Sequence, residues 1–129
     1  MRYTLKIVSS ITGILIIFNT LSYVYNWYQG NTWFDNLAHL INPFLITLLM
    51  GQVGWHFKKY FTNNRTLFLT LLLSLSINFA ILWEYIEWSV DLFSNISIRG
   101  KYDTMMDISM HIIATIIATI IVNYTVISE

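Results

Sequence analysis

Residues 67–90, LFLTLLLSLSINFAILWEYIEWSV, are apolar over most of their length and carry two glutamates near their end. About 20 consecutive apolar residues suffice for a helix to cross the hydrocarbon core of a bilayer. The stretch contains no Asp, Glu, Lys or Arg until Glu84 and Glu87. It therefore predicts a transmembrane helix with two carboxylates at one end.

Three further apolar segments of similar length flank this stretch, at residues 5–28, 37–57 and 105–127. The chain has 129 residues, of which 56% are apolar and 11% charged, a composition typical of an integral membrane protein. No Pro/Gly/Ser-rich linker divides it. We therefore expect one transmembrane domain, residues 1–129, folded as an all-α bundle of four helices.

The composition also excludes several kinds of site and partner. The chain has no cysteine, which excludes disulfides, thiolate zinc sites and cysteine nucleophiles. Its seven Lys and Arg residues balance seven Asp and Glu residues, and no large basic patch is available to hold nucleic-acid phosphates. We expect membrane lipids, and no nucleic acid, as its partners.

The positive residues predict the orientation in the membrane. Five of the seven lie at the start of the first helix or in the second loop, and only Arg99 and Lys101 lie in the third loop. Because cytoplasmic loops carry the excess of Lys and Arg, both termini and the second loop are expected in the cytoplasm. The helix end that carries Glu84 and Glu87 would then face outside.

Six of the seven acidic residues and two of the three histidines fall at this outer end. They open the second and fourth predicted helices and close the third, at Asp35, His39, Glu84, Glu87, Asp91, Asp103, Asp107 and His111. Spacings of three and four residues place each set on one helix face, so the sets should converge inside the bundle. A charge at the centre of a membrane helix costs roughly 2.5–3.5 kcal/mol, which makes these residues functional candidates.

The cluster needs a source of positive charge, because six acids stand against two nearby cations, Arg99 and Lys101. Bound metal, protons on the carboxyl groups or the amine of a lipid headgroup would each supply it. Carboxylates and imidazoles on facing helices suit a divalent metal such as zinc, manganese or iron. We predict metal ligands at Asp35, His39, Glu84, Glu87, Asp107 and His111. The candidate catalytic carboxylates are Glu84, Glu87 and Asp107.

Structural roles compete with these assignments. Asp35 and Asp103 stand where helix N-caps are expected, and aspartate is favoured there by free amides and by the helix dipole. Asp91 lies toward a helix C-terminus, where it could be solvated or paired with Arg99 or Lys101. The inner members of the cluster could instead form a polar network that specifies helix packing.

Two polar features lie outside the cluster. His56 stands beside Lys58 and Lys59 at the inner membrane interface and is interpreted as an interfacial aromatic residue. The first helix carries a face of neutral polar residues that could donate hydrogen bonds to the cluster: Asn19, Ser22, Tyr23 and Asn26.

Three blocks of sequence around these residues resemble the signature blocks of a known family. They are Trp33-Phe-Asp-Asn-Leu-Ala-His39, Leu82-Trp-Glu-Tyr-Ile-Glu-Trp88 and Tyr102-Asp-Thr-Met-Met-Asp107. In this order they are similar to blocks of the YjdF-like family of uncharacterised bacterial inner-membrane proteins. The resemblance covers about residues 33–118 and implies a multi-pass protein of the bacterial inner membrane. Its characteristic polar positions would be Asp35, His39, Glu84, Glu87, Asp103 and Asp107. A weaker similarity in layout is to VanZ-like proteins.

Three functions remain open from the sequence. The first is a metal-dependent enzyme acting on a lipid or lipid-linked substrate at the outer leaflet. The second is a proton- or cation-coupled carrier, or a subunit of one, although the inner half of the bundle has almost no ionisable groups. The third is a structural or partner-binding membrane protein whose acids pair with a basic partner segment.

Overall fold

Four helices make up the part of the chain that the structure describes. This computed structural model describes residues 2–25, 32–57, 64–94 and 101–125. The helices are α1 (Arg2–Val24), α2 (Thr32–His56), α3 (Arg65–Ser94) and α4 (Lys101–Thr125). The prediction of an all-α fold with four helices is confirmed. All four helices begin before their predicted first residues, and the predicted helical residues 26–28, 126 and 127 lie outside the described residues.

Three of the helices are long and apolar enough to cross a membrane. The candidate spans are Trp33–His56, Arg65–Ser89 and Asp103–Thr125. α1 contains a shorter apolar stretch, Lys6–Ser22. Within hydrocarbon, a helix pairs each backbone N–H with a carbonyl of the same segment, which is why apolar runs of this length fold as helices. Many large apolar side chains are exposed on the outer surface, as expected for side chains that contact lipid.

α3 runs antiparallel to both α2 and α4. His39, near the start of α2, contacts Glu84, which lies toward the end of α3. Arg65, the first residue of α3, donates from Nε to Oδ1 of Asn123 near the end of α4, at 2.8 Å. The starts of α2 and α4 and the end of α3 therefore meet at one end of the bundle, where the acidic residues lie.

The apolar core lies toward the opposite end of the bundle. Phe68 and Leu72 of α3 form a buried cluster with Val122 of α4. α2 and α4 share the most extensive interface, and a Cβ atom built on Gly51 of α2 would overlap the Val122 side chain. The close approach of these two helices depends on that missing side chain.

α1 packs mainly on α2. The Phe18 and Phe34 rings stack with centroids 5.7 Å apart. The Asn19 and Asn42 amides exchange two hydrogen bonds, at 3.0 and 3.2 Å. Among the described helices, α1 makes no comparably extensive contact with α3, so a space remains between these two helices.

Candidate metal centre

Five buried polar side chains meet at the end of the bundle where α2 and α4 begin. Each has at most 7% of its surface exposed: Asp35, His39, Glu84, Asp107 and His111. Four-residue spacing places Asp35 beside His39 on α2, and Asp107 beside His111 on α4. The predicted convergence of these side chains inside the bundle is confirmed.

His39 lies at the centre of this cluster. Its Nδ1 atom is 2.8 Å from Nε2 of His111 and 3.2 Å from Oε1 of Glu84. Its Nε2 atom lies 3.6, 3.7 and 3.8 Å from oxygens of three carboxylates, those of Asp35, Glu87 and Asp107. The two ring nitrogens of one imidazole therefore face two different groups.

The second histidine completes the first of these groups. The His39 and His111 rings stack with centroids 4.9 Å apart and an interplanar angle of 29°. Nε2 of His111 lies 3.8 Å from Oε1 of Glu84. Two imidazole nitrogens and one carboxylate oxygen, from three different helices, thus point toward one small volume.

Two sets of three ligand atoms are close enough to share a cation. In each set the atoms lie within 4.8 Å of one another; the sets are His39, Glu84 and His111, and Asp35, His39 and Asp107. Ligands at about 2.0–2.1 Å from a tetrahedral zinc are about 3.4 Å apart. The three distances in the first set, 2.8, 3.2 and 3.8 Å, bracket that value. The first set therefore has the spacing of one tetrahedral metal site.

Several polar atoms of the cluster also lack hydrogen bonds. Among the described residues, neither carboxylate oxygen of Asp107 has a hydrogen-bond partner, and the same holds for Oε1 of Glu84 and Nδ1 of His111. Asp107 is fully buried. Buried polar atoms without partners are costly, and a buried carboxylate most of all. The donor set thus fits a bound cation better than it fits a closed network of hydrogen bonds.

Glu87 borders the cluster and is more exposed than its three carboxylates, with 26% of its side chain exposed. Together with His39 and His111, it lines a cavity of about 600 Å³. Among the described lining residues are neither Glu84 nor Asp107. Of the three candidate catalytic carboxylates, Glu87 is therefore the one that a molecule in the cavity can contact.

The N-cap prediction for Asp35 and Asp103 is wrong. α2 begins at Thr32 and α4 at Lys101, so each aspartate lies within the first helical turn and not at the capping position. The helices start earlier than their apolar segments because polar residues also form the first turn. The dipole at a helix N-terminus still favours negative charge there.

The predictions for the polar face of α1 and for Asp91 are tested only at the described side chains. Asn19 bonds to Asn42, and Ser22 donates to the backbone carbonyl of Phe18, so the described side chains of this α1 face bond elsewhere. The side chain of Tyr23 and all of Asn26 lie outside the described residues. The side chains of Asp91 and Lys101 and the whole of Arg99 also lie outside the described residues. The pairing of Asp91 with Arg99 or Lys101 therefore stays a prediction.

Sequence reasoning missed three buried hydroxyl groups that follow the cluster residues along α2 and α4. Thr47 of α2 and Thr115 of α4 are buried, and Thr119 follows on α4. Within the described part of the chain, their hydroxyl oxygens have no hydrogen-bond partner. The four-residue spacing from His111 through Thr115 to Thr119 was the signal available in the sequence.

The family is now identified by a comparison over nearly the whole chain. A family model described as "Predicted membrane protein (DUF2238)" matches residues 1–127. The chain belongs to the DUF2238 family. This membership confirms the YjdF-like resemblance, whereas similarity to VanZ-like proteins is not shown. Together with the three apolar helices, membership in DUF2238 identifies a membrane protein. No curated protein and no solved structure matches the chain.

Proposed function

We propose that this member of DUF2238 is a metal-dependent membrane enzyme that acts on a lipid or lipid-linked substrate at the outer leaflet. The observation that carries the proposal is the spacing of His39, Glu84 and His111, whose three ligand atoms fit one tetrahedral metal. Two histidines and one carboxylate, with a further coordination position open, form the ligand set of known catalytic zinc sites.

The ring of His39 lies between two groups formed by the other five predicted ligands. Nδ1 of His39 would bind the metal together with Glu84 and His111. Nε2 of His39 would then face the carboxylates of Asp35, Glu87 and Asp107, at 3.6, 3.7 and 3.8 Å. Metal-ligating histidines almost always donate their other N–H to such a partner, which fixes the ring orientation and raises the basicity of the ligand. Through the charge of their carboxylates, Asp35 and Asp107 would orient the His39 ring, and zinc, manganese or iron would suit the site.

Glu87 is the proposed general base. It borders the cavity and lies 3.7 Å from Nε2 of His39, so it can contact both the substrate and the cluster. A divalent metal in such a site polarises an ester carbonyl or phosphoryl oxygen and generates a nucleophile from water near neutral pH. A carboxylate within hydrogen-bond reach of the attacking group is the usual complement to that chemistry.

The proposed orientation places the cluster in the outer leaflet. It follows from the excess of Lys and Arg at the start of α1 and in the second loop, with both termini in the cytoplasm. α1 is proposed as the fourth membrane span. Its 23 residues extend about 34 Å, enough to cross a hydrocarbon core of about 30 Å.

Turnover of lipids by the metal-loaded protein tests this function. The protein is purified anaerobically, loaded with zinc, manganese or iron(II), and reconstituted with a total bacterial lipid extract, whose composition is followed by mass spectrometry. We expect one lipid class to be consumed, and Glu87→Gln to abolish this consumption while the metal stays bound. Unchanged lipids with all three metals, or equal turnover by Glu87→Gln, would overturn the proposal.

A proton- or cation-coupled carrier is the second candidate, and three buried hydroxyl groups of α2 and α4 favour it. Thr12, Ser22, Ser109 and Thr125 each donate to the carbonyl four residues earlier. By contrast, three hydroxyl groups have no partner among the described residues: those of Thr47, Thr115 and Thr119. On α4, Thr115 and Thr119 follow His111 toward the end of the bundle that is expected to face the cytoplasm. They offer hydroxyl groups in a part of the bundle that has almost no ionisable side chains.

Proton flux into liposomes separates this candidate from the enzyme. A carrier would move protons at a rate that falls in Thr115→Val, which removes a buried hydroxyl group and keeps the side-chain shape. Thr12→Val is the matched control, since the hydroxyl group of Thr12 already donates to the carbonyl of Val8 within α1. Flux equal to that of protein-free liposomes would exclude the carrier.

A further inference from the structure

The cavity beside the cluster has a polar end and an apolar end. His39, Glu87 and His111 border it at the end where α2 and α4 begin. Farther along the helices its walls are mostly apolar, with Ile46 on α2 and Phe79 on α3, and the small side chains of Thr47 and Ser76 also line it there. A molecule that fits this cavity therefore has a polar group attached to an apolar tail.

The length of the cavity matches one leaflet of a bilayer. On α3 the lining residues extend from Glu87 down to Ser76, a distance of about 16 Å along the helix. The hydrocarbon core of a bilayer is about 30 Å thick, so each leaflet contributes about half of that. A chain entering beside Glu87 would end near the middle of the membrane, where the acyl chains of that leaflet also end.

The cavity has access to the surrounding lipid through its side. Phe79 and Trp83 of α3, which line it, are 48% and 46% exposed. On the opposite wall stand Leu15 and Asn19 of α1, the helix that packs mainly on α2. An opening between α1 and α3 would therefore face hydrocarbon and not bulk water.

We infer that this cavity binds one acyl chain of a membrane lipid, which enters sideways between α1 and α3 and places its polar head beside His39 and Glu87. The volume of about 600 Å³ lies within the usual range of roughly 300–1,000 Å³ for ligand sites. This inference rests on the proposed function for the role of the head and assigns its substrate class, a lipid whose chain is held by the protein. Binding of the chain itself needs neither metal nor turnover.

Photo-cross-linking in liposomes tests the inference without an activity assay. The probe is a phosphatidylethanolamine with a diazirine at the middle of one acyl chain, mixed into phosphatidylethanolamine and phosphatidylglycerol vesicles that contain the protein. Lipids around the protein can reach exposed residues such as Leu75, Leu82 and Ile86. Only a chain inside the cavity can reach its buried lining residues, Thr47, Ser76 and Ala80.

We expect adducts on the buried lining residues in the wild-type protein and a loss of at least several-fold in Ser76→Leu, which fills the cavity. Ser74→Leu is the matched control, because it makes the same change two residues away, on an exposed position that does not line the cavity. Ala80→Leu is a second filling variant, in case Ser76→Leu does not fold.

Adducts confined to exposed residues of the wild-type protein, or equal yields in the filled and control variants, would overturn the inference. The cross-linking is done with and without metal. The lipid site and the enzymatic activity are therefore tested separately. Adducts in the cavity of a protein that turns over no lipid would leave the lipid site standing and remove the enzyme. Turnover of lipid without these adducts would support the enzyme and overturn the lipid site in the cavity.

Discussion

Nδ1 of His39 and Nε2 of His111 lie 2.8 Å apart, although 72 residues separate the two histidines in the chain. The parallel packing of α2 and α4 brings them together, and Glu84 from the antiparallel helix α3 closes the group. Three helices thus each contribute one ligand atom. A site assembled in this way depends on the packing of the bundle as much as on the three residues themselves.

Asp107→Asn should weaken metal binding without removing it. The Asp107 carboxylate lies 3.8 Å from Nε2 of His39 and, in the proposed site, orients that ring from outside the metal. Loss of such an outer partner typically costs 10–100-fold in metal affinity, about 1.4–2.7 kcal/mol. Titration of the metal-free protein with zinc measures the change. A complete loss of binding, equal to that of His111→Ala, would instead make Asp107 a direct ligand.

The Asn19–Asn42 pair should contribute measurably to the docking of α1. Two amide hydrogen bonds join the helices there, and hydrogen bonds between membrane helices average about 0.6 kcal/mol, with a maximum near 1.7 kcal/mol. A double-mutant cycle with Asn19→Leu and Asn42→Leu, followed by SDS-induced unfolding, isolates this coupling. We expect a coupling energy of about 0.6–2 kcal/mol. A value indistinguishable from zero would show that the pair does not hold α1.

Gly51→Ala should destabilise the bundle. A Cβ atom at position 51 would overlap the buried, branched side chain of Val122, and overpacking of a close interface costs typically 1–3 kcal/mol. Gly13→Ala is the control, since a Cβ atom there has no neighbour within 4 Å among the described residues. The free energy of unfolding should fall for position 51 and stay equal or rise slightly for position 13. Equal values for both variants would contradict the close contact of α2 with α4.

Much of the fold follows from the sequence, because apolar runs of about 20 residues have few alternatives to a helix in a membrane. The spacing of Asp107 and His111, and that of Asp35 and His39, likewise predicted which faces would converge. Helix starts are harder to place: the first turns of α2 and α4 contain polar residues, so the N-cap role considered for Asp35 as an alternative is wrong.

Other features of the site depend on packing that no single helix specifies. The orientation of the His39 ring, with Nδ1 toward Glu84 and Nε2 toward Asp107, is set by three helices together. The Asn19–Asn42 pair joins two neutral residues whose positions in the chain give no sign of a partner. The cavity, which makes Glu87 the accessible carboxylate, arises from the way that α1 packs.

The metal content of the purified protein tests the candidate site most directly. Elemental mass spectrometry is applied to the wild-type protein, to His111→Ala and to His56→Ala, after anaerobic purification and again after reconstitution with zinc, manganese or iron(II). His56 is the matched control, because it is an exposed histidine at the other end of α2. We predict close to one metal per chain in the wild-type protein and in His56→Ala, and loss of that metal in His111→Ala. Absence of metal from the wild-type protein after reconstitution, or equal amounts in all three proteins, would contradict a metal centre built on His39, Glu84 and His111.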